Sequence, residues 1–295
     1  MIWGGLLIMI VSETATLLRI EPFWSWNTPI AWTGFILFAD AVVFRARGDS
    51  WMRSAPREFA MLALASIPLW LVFEAYNLVI RNWYYTGLPE NTALRYFGYG
   101  WSFATITPAM FEGAELMAVA RGSGRSGGPA GSIRWGEPET PARSKSDLPD
   151  APDLPDLRGP LSVAAGALML VSPFLVSAEL ARYMAAPVWL GFIFLLDPIN
   201  ARLGGESLWV DWRVGHTDRL VNLALSGLLC GVLWEFWNFW ARAKWHYTVP
   251  IMERWKIFEM PLPGYFGFPP FALECFTMYV LVRRLVTRGG RAIGG

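Results

Sequence analysis

One polar pattern, glutamate–asparagine–arginine, occurs twice inside apolar stretches of the sequence. The two copies are Glu74, Asn77, Arg81 and Glu235, Asn238, Arg242. Spacings of three and seven residues place all three side chains on one face of a helix, over two turns. A carboxylate held there by an amide and a guanidinium can accept a proton or stabilise a positive charge. We therefore treat these six residues as candidate catalytic residues for acid–base chemistry.

A second pair of acids, Glu112 and Glu274, follows matched proline-containing segments that begin at Pro108 and Pro270. No cation lies at comparable depth in the surrounding apolar sequence. An acid at the centre of a lipid-facing helix costs about 2.5–3.5 kcal/mol, so we expect both side chains to point into a helix bundle. Burial without a cation favours the neutral acid, which is the form that donates a proton.

A structural interpretation of the repeated triad stays open. The asparagine can hydrogen-bond the acid across a helix pair, while the arginine extends to the membrane interface and marks the end of the helix. Two copies at matching positions favour the functional interpretation, since ionisable groups inside a membrane are functional by default. For Asp40 and Asp197 a structural role is favoured, because both lie near water-accessible helix ends.

The composition predicts an integral membrane protein with the lipid bilayer as its partner. Of the 295 residues, 54% are hydrophobic and only 17% are charged, whereas soluble domains carry about 25% charged residues. The net charge of +1 argues against a nucleic-acid partner, which calls for a basic face. The two histidines do not lie deep in an apolar stretch, which argues against a histidine-rich metal site.

The hydropathy pattern predicts an all-α, polytopic membrane protein with about eight transmembrane helices. The predicted spans are residues 2–18, 28–44, 58–80, 97–119, 160–180, 185–201, 219–241 and 264–283. Residues 121–158, rich in Gly and then in Pro and Asp, are predicted to be a flexible cytoplasmic linker. Membrane repeat 1 would then comprise residues 1–120 and membrane repeat 2 residues 159–295.

Matched segments in the two blocks indicate an internal duplication. The segment Trp32 to Asp40 matches Trp189 to Asp197 at an offset of 157 residues. The triads follow at an offset of 161, and the segments that end at Glu112 and Glu274 follow at 162. Four spans in each block would make the two repeats parallel.

The arginine-rich segments all fall on one side of the membrane if there are eight spans. The positive-inside rule then places both termini and the linker in the cytoplasm, in a multi-pass protein of the inner cell membrane. The segments on the opposite side, residues 83–101 and 245–268, are aromatic and contain Pro or Gly. We expect these two segments to lie at the outer membrane interface.

From Trp234 onward, the second block resembles the membrane domain of the heterodimeric bacterial, archaeal and fungal lycopene cyclases, a family that also contains tandem duplications. The shared features are an acid after Trp late in a span, an aromatic loop with Trp, a Leu-Pro step, and an acid in the next span. In this sequence they are Trp234-Glu235, Trp245, Leu262-Pro263 and Phe271 to Glu274. Where the family has paired acids directly after its Leu-Pro, this chain has Gly264-Tyr265.

The resemblance implies cyclisation of an apolar isoprenoid without a cofactor or metal. Such a reaction begins with protonation of an alkene by a neutral acid and ends with loss of a proton to a base. Glu112 or Glu274 would be the donor, and Glu74 or Glu235 would be the base or would stabilise the cation. Two alternatives remain: a transporter or proton-coupled carrier built from parallel repeats, and a non-catalytic lipid-binding or assembly scaffold.

The predicted topology is tested by cysteine accessibility. An eight-span topology puts every arginine-rich segment on the same side of the membrane. We therefore expect cysteines placed in residues 121–158 to react from the cytoplasmic side. Strong labelling from the periplasmic side, with a reagent that does not cross the membrane, would contradict this topology.

Overall fold

The computed structural model describes residues 1–123, 158–252 and 254–287, and these residues are mostly helical. We call residues 1–123 the first half and residues 158–287 the second half. The long helices of the first half are α1 (Ile2–Leu17), α2 (Phe23–Arg47), α4 (Pro56–Ile80) and α5 (Thr92–Arg121), with the short α3 (Trp51–Ser54) between α2 and α4. The long helices of the second half are α6 (Arg158–Leu175), α8 (Ala185–Arg202), α10 (Asp218–Trp240) and α11 (Phe268–Thr287). Short helices α7 (Ala178–Ala181) and α9 (Leu208–Arg213) precede α8 and α10.

Each predicted span coincides with one long helix, although residues 124–157 of the predicted linker lie outside the described residues. Five segments are long and apolar enough to cross a bilayer by length and composition. They are Phe23–Arg47, Pro56–Ile80, Arg158–Leu175, Asp218–Trp240 and Leu262–Val286. Helix α1 is a shorter apolar helix of 16 residues. Helices of this length and composition are compatible with an integral membrane protein.

Large apolar side chains cover the outside of the bundle. On α4, Leu64, Leu71 and Leu78 are exposed by 68%, 49% and 78%, and their seven-residue spacing puts them on one face. Helix α6 likewise exposes Leu161, Leu168 and Phe174. Apolar stripes of this length are unfavourable in water and favourable against lipid tails. The outer surface of the bundle is therefore compatible with contact to lipid.

Glycines allow the first two long helices of each half to pack closely. A Cβ atom on Gly5 of α1 would lie 2.6 Å from the carbonyl oxygen of Gly34 on α2. On α6, a Cβ atom on Gly166 would contact the backbone at Gly191 and Leu195 of α8 in the same way. Close backbone approach of this kind is how membrane helices gain van der Waals contact. Gly34 and Gly191 thus allow α2 to pack closely on α1 and α8 to pack closely on α6.

Asp40 and Asp197 hold the short helices α3 and α9 by their N-terminal ends. The Oδ1 atom of Asp40 accepts a hydrogen bond from the Met52 backbone at 2.9 Å. The carboxylate of Asp197 accepts from the Leu208 and Trp209 backbones at 2.8 and 3.0 Å. A carboxylate satisfies the unpaired N–H groups and the positive end of a helix. These contacts support the structural role expected for both residues.

Arginines from many helix ends meet carboxylates at one end of the bundle. Arg47 binds Glu115, Arg219 binds Asp211 at 2.5 Å, and Arg283 binds Glu58 at 3.3 Å and also Glu206. Met1 lies at this end too, since its sulfur is 2.9 Å from Arg53. One end of the bundle thus carries the arginine–carboxylate pairs, and the opposite end carries the aromatic segments.

We expect Gly5→Ala to destabilise the protein, because the added methyl group meets backbone atoms that cannot move aside. Overpacking of this kind costs about 1–3 kcal/mol. Gly4→Ala is the matched control, since a Cβ atom there has nothing within 4 Å. Thermal unfolding in detergent measures both variants, and equal midpoints would show that the Gly5 contact does not limit stability.

Candidate functional site

A two-stranded sheet joins the halves at the end of the bundle opposite the arginines. Strand β1 (Trp83–Thr86) follows α4, and β2 (Lys244–Tyr247) follows α10. They pair antiparallel, so that Trp83 faces Tyr247 and Tyr85 faces Trp245, while the rings of Tyr84 and His246 stack at 5.4 Å. The sequence interpretation missed these strands and predicted only interfacial loops. The available signal was a pair of matched tetrapeptides rich in aromatic residues, which favour strands.

The two asparagines of the repeated triad hold the strands. Asn77 accepts from the backbone N–H of Asn82 and Trp83 at 2.8 and 3.2 Å and donates to the Trp83 carbonyl at 2.8 Å. Asn238 makes the corresponding pair of bonds to the Trp245 backbone, both at 2.9 Å. Their amide groups are occupied by backbone, so the expectation that they hold the neighbouring acids is wrong.

The two arginines of the triad lie beyond the helices. Helix α4 ends at Ile80, and Arg81 adopts the left-handed conformation with φ +50°. Helix α10 ends at Trp240, and Arg242 binds Glu21 at 3.1 Å and lies over the Trp24 ring. The triad predicted to share one helix face is therefore broken at its last member. Neither guanidinium supports the acid two turns before it.

Indole and phenol groups hold Glu74 instead. Its Oε1 atom accepts hydrogen bonds from the Nε1 atoms of Trp70 and Trp83, at 2.9 and 3.2 Å. The hydroxyl of Tyr85 donates to the same oxygen at 2.5 Å. Three hydrogen bonds to one carboxylate oxygen compensate for its removal from water.

Glu235 has a related but sparser environment. Its Oε1 atom accepts from the Tyr247 hydroxyl at 2.8 Å, and Trp245 Nε1 donates to that hydroxyl oxygen at 2.9 Å. The Glu235 side chain is fully buried, and its Oε2 atom makes no hydrogen bond to a described residue. An unpaired oxygen of this kind costs free energy unless a ligand or a proton satisfies it.

Burial and the neighbouring glutamates raise the pKa of Tyr85 and of Tyr247 well above 10.0. Both phenols therefore stay neutral and donate to their glutamates. Each of the two strands thus presents one neutral tyrosine hydroxyl joined to a carboxylate of the preceding helix. These tyrosines were not among the predicted site residues, although they occupy matched positions at an offset of 162.

An aromatic cavity of about 460 Å³ lies beside the sheet and is lined by both halves. Its wall includes Trp32, Trp70, Trp83, Trp189, Trp234 and Trp245. Tyr85 and Tyr247 also line it, whereas Glu74 and Glu235 lie behind them. Glu74, Glu235 and the two asparagines are not part of the lining of this cavity. Their hydrogen-bonded tyrosines take that position.

Glu112 and Glu274 are buried inside the bundle, as expected, with exposed fractions of 1% and 0%. Glu112 lies beside the carboxyl group of Asp40, toward the arginine-rich end. Glu274 lies among apolar side chains, next to the backbone at Phe192, and its oxygens make no hydrogen bond of ordinary geometry to described residues. It is one helical turn from Phe271, which lines the aromatic cavity. Glu274 itself does not line that cavity.

A small hairpin covers the Glu235 side of the sheet. Strands β3 (Lys256–Ile257) and β4 (Met260–Pro261) pair and lead into a 3₁₀ helix, Leu262–Gly267. Glu259, in the turn of this hairpin, binds Lys244 at 3.3 Å and His246 at 3.0 Å. Burial works against the charge of Glu259, but His246 and Lys244 outweigh it and hold the Glu259 pKa below 4.5. These two contacts fasten the hairpin to β2.

Comparison of the chain with protein-family models, with curated proteins and with solved structures finds no match. Consequently no residue role is transferred from a relative to Glu74, Glu235 or the tyrosines bound to them.

We expect Glu259→Gln to loosen the hairpin at neutral pH and to have no effect in acid. The charge pair with Lys244 and the hydrogen bond with His246 both use the ionised form of Glu259, which is complete above pH 4.5 and is lost as the pH falls through the lowered pKa of Glu259. The variant should lose about 0.5–1 kcal/mol at pH 7, and the difference from the wild type should vanish on acidification. Thermal unfolding at a series of pH values measures it. Glu90→Gln, at an exposed position in the first half, is the control; an equal loss there would contradict the assignment.

Proposed function

We propose that the protein crosses the membrane eight times, as two parallel four-helix repeats joined by a cytoplasmic linker. Matched contacts support this arrangement: glycine packing of α1 on α2 and of α6 on α8, and aspartates that cap α3 and α9. The sheet also supports it. Trp83 matches Trp245, and Tyr85 matches Tyr247. Trp83 pairs with Tyr247 and Trp245 pairs with Tyr85, which is the exchange that a two-fold axis requires. Both termini would lie in the cytoplasm, with the arginines.

We propose that this protein is an enzyme of the inner cell membrane that cyclises or isomerises an apolar isoprenoid by acid–base chemistry. The observation that supports this proposal is the aromatic cavity, with its two tyrosine–glutamate pairs and with the buried Glu274 one helical turn from Phe271 in its wall. Its volume of about 460 Å³ falls within the range of ligand pockets, about 300–1,000 Å³. The resemblance of the second half to lycopene cyclases supports the same class of substrate.

The proposed reaction starts at Glu274. A neutral carboxylic acid transfers its proton to one carbon of a C=C bond, and the electron pair of that bond forms the new C–H bond. The adjacent carbon becomes cationic, and a second C=C bond of the substrate attacks it to close a ring. The tryptophan faces of the cavity stabilise the cation throughout these steps.

The proposed reaction ends when a proton leaves the carbon next to the cation. The C–H electron pair forms the final C=C bond, and the proton passes to a tyrosine–glutamate pair at the cavity wall. One proton is added and one is removed, so the substrate is neither oxidised nor reduced. Before the next turnover the tyrosine–glutamate pair releases its proton and Glu274 takes one up, so that the enzyme returns to its starting state by proton transfer alone.

We expect Glu274→Gln to abolish product formation while the protein still inserts into membranes and purifies. Glutamine keeps the shape of the side chain but cannot deliver a proton, and loss of a general acid costs about 10²–10⁴-fold in rate. Wild type and variant are expressed in an isoprenoid-producing host, and their lipid extracts are compared by mass spectrometry.

The matched control is Glu274→Leu, which separates catalysis from packing. If Glu274 serves only in helix packing, glutamine should be tolerated and leucine should be the damaging change. Identical isoprenoid profiles with and without the wild-type protein would contradict the proposed enzyme. They would favour the transporter or the scaffold.

A further inference from the structure

The two tyrosine–glutamate pairs differ in the hydrogen-bond donors around the glutamate, although the glutamate–asparagine–arginine triads have the same residue types. Trp70 donates to Glu74 in the first half, but the matched position in the second half, at an offset of 161, is Gly231. A Cβ atom at Gly231 would clash with the ring of Phe268. Phe268 therefore fills the space that an indole would need. Glu235 lacks one of the donors that Glu74 has.

The remaining donors differ too. In the first half, the indole of Trp83 and the hydroxyl of Tyr85 both reach Glu74. In the second half, the matched indole of Trp245 donates to the Tyr247 oxygen. Glu235 keeps only the Tyr247 hydroxyl, while Trp245 and the backbone at Glu259 lie near it outside hydrogen-bond geometry. Glu74 therefore accepts hydrogen bonds from three side-chain donors, and Glu235 accepts a hydrogen bond from one.

The segments that cover the two pairs also differ. Residues 92–105 form the first turns of α5, whereas the matched residues 254–267 form the hairpin and the 3₁₀ helix. Pro261 and Pro263 explain the difference, since proline inside a helix removes a hydrogen bond and clashes with the preceding turn. Met260, Pro261 and Gly264 of this segment line the aromatic cavity. The second pair is thus covered by two-residue strands instead of a long helix.

We propose that Glu235 and Tyr247 are the working proton acceptor, and that Glu74 and Tyr85 anchor the fold; this inference rests on the proposed function. When a carboxylate takes up a proton, the oxygen that receives it loses acceptor strength toward its donors. Glu74 would weaken three hydrogen bonds, and Glu235 would weaken one. Glu235 also has a buried oxygen that no described residue satisfies.

The proton moves in two coupled transfers. The substrate C–H bond next to the cationic carbon breaks, and its electron pair forms the C=C bond. The released proton binds the Tyr247 hydroxyl oxygen, which lines the cavity. The original hydroxyl proton passes along the existing 2.8 Å hydrogen bond to Glu235. Tyr247 is neutral before and after, and Glu235 ends as the neutral acid.

Labelling with dicyclohexylcarbodiimide tests the difference without a substrate. This apolar reagent adds the O–H of a protonated carboxyl group across one of its C=N bonds, and peptide mass spectrometry locates the adduct. We expect Glu235 to be modified about tenfold more than Glu74, because a proton on Glu74 would weaken three hydrogen bonds whereas a proton on Glu235 would weaken one. Glu74 is the more exposed side chain, so access alone predicts the opposite order. Equal labelling, or more on Glu74, would overturn the proposal.

Trp70→Phe provides the matched control for labelling. It removes one donor from Glu74 and should raise the modification of Glu74 while leaving that of Glu235 unchanged. No change at Glu74 would show that the number of donors does not govern its reactivity.

Product analysis is a second test of which tyrosine–glutamate pair accepts the proton. Glu235→Gln and Tyr247→Phe should each lower product by about 100-fold with little change in thermal stability, whereas Glu74→Gln should lower the unfolding midpoint. Full product from both second-half variants would overturn the assignment of the working pair. If the wild type makes no product, the proposed enzyme fails, and the labelling ratio still decides whether the two carboxylates differ.

Discussion

The antiparallel pairing of β1 with β2 is the interaction on which the site depends. It connects residues about 160 positions apart and closes the bundle at the end opposite the arginines. Unpaired backbone groups are costly near a bilayer, so each strand needs a partner on both sides. The other strand supplies one, and Asn77 or Asn238 supplies further bonds. Because the strands are held in this way, Tyr85 and Tyr247 stand between the glutamates and the aromatic cavity.

The buried carboxylates show how the protein offsets the cost of charge in an apolar bundle. Asp40 and Asp197 lie at helix N-termini, where backbone N–H groups satisfy them. Glu74 receives three side-chain donors. Glu235 receives one, and Glu274 lies among apolar groups without an ordinary hydrogen bond to a described residue. Glu112, beside Asp40 and toward the arginine-rich end, also has two carboxylate oxygens without an ordinary hydrogen bond to a described residue, so sparse compensation is not confined to the acids near the cavity.

Matched sequence segments do not guarantee matched sites. The glycine contacts and aspartate caps recur in both halves because the same residues meet the same neighbours. Two changes separate the glutamate sites: Gly231 at the position of Trp70, and prolines in the segment before α11. The first removes a hydrogen-bond donor, and the second replaces helix with hairpin. These local changes thus give Glu74 and Glu235 different environments within matched helices.

The sequence by itself determined the helical segments, their membrane character and the burial of Glu112 and Glu274, because apolar runs and isolated acids carry these properties locally. It also showed the matched positions of the glutamates. The partners of those glutamates came from the tertiary structure. A helix that ends at Ile80 or Trp240 removes the arginine from the face that spacing predicted for it. Trp70, one turn before Glu74 on α4, and the strand residues Tyr85 and Tyr247 replaced the expected amide and guanidinium. The two tyrosines are held in place by the pairing of β1 with β2, which joins segments far apart in the chain.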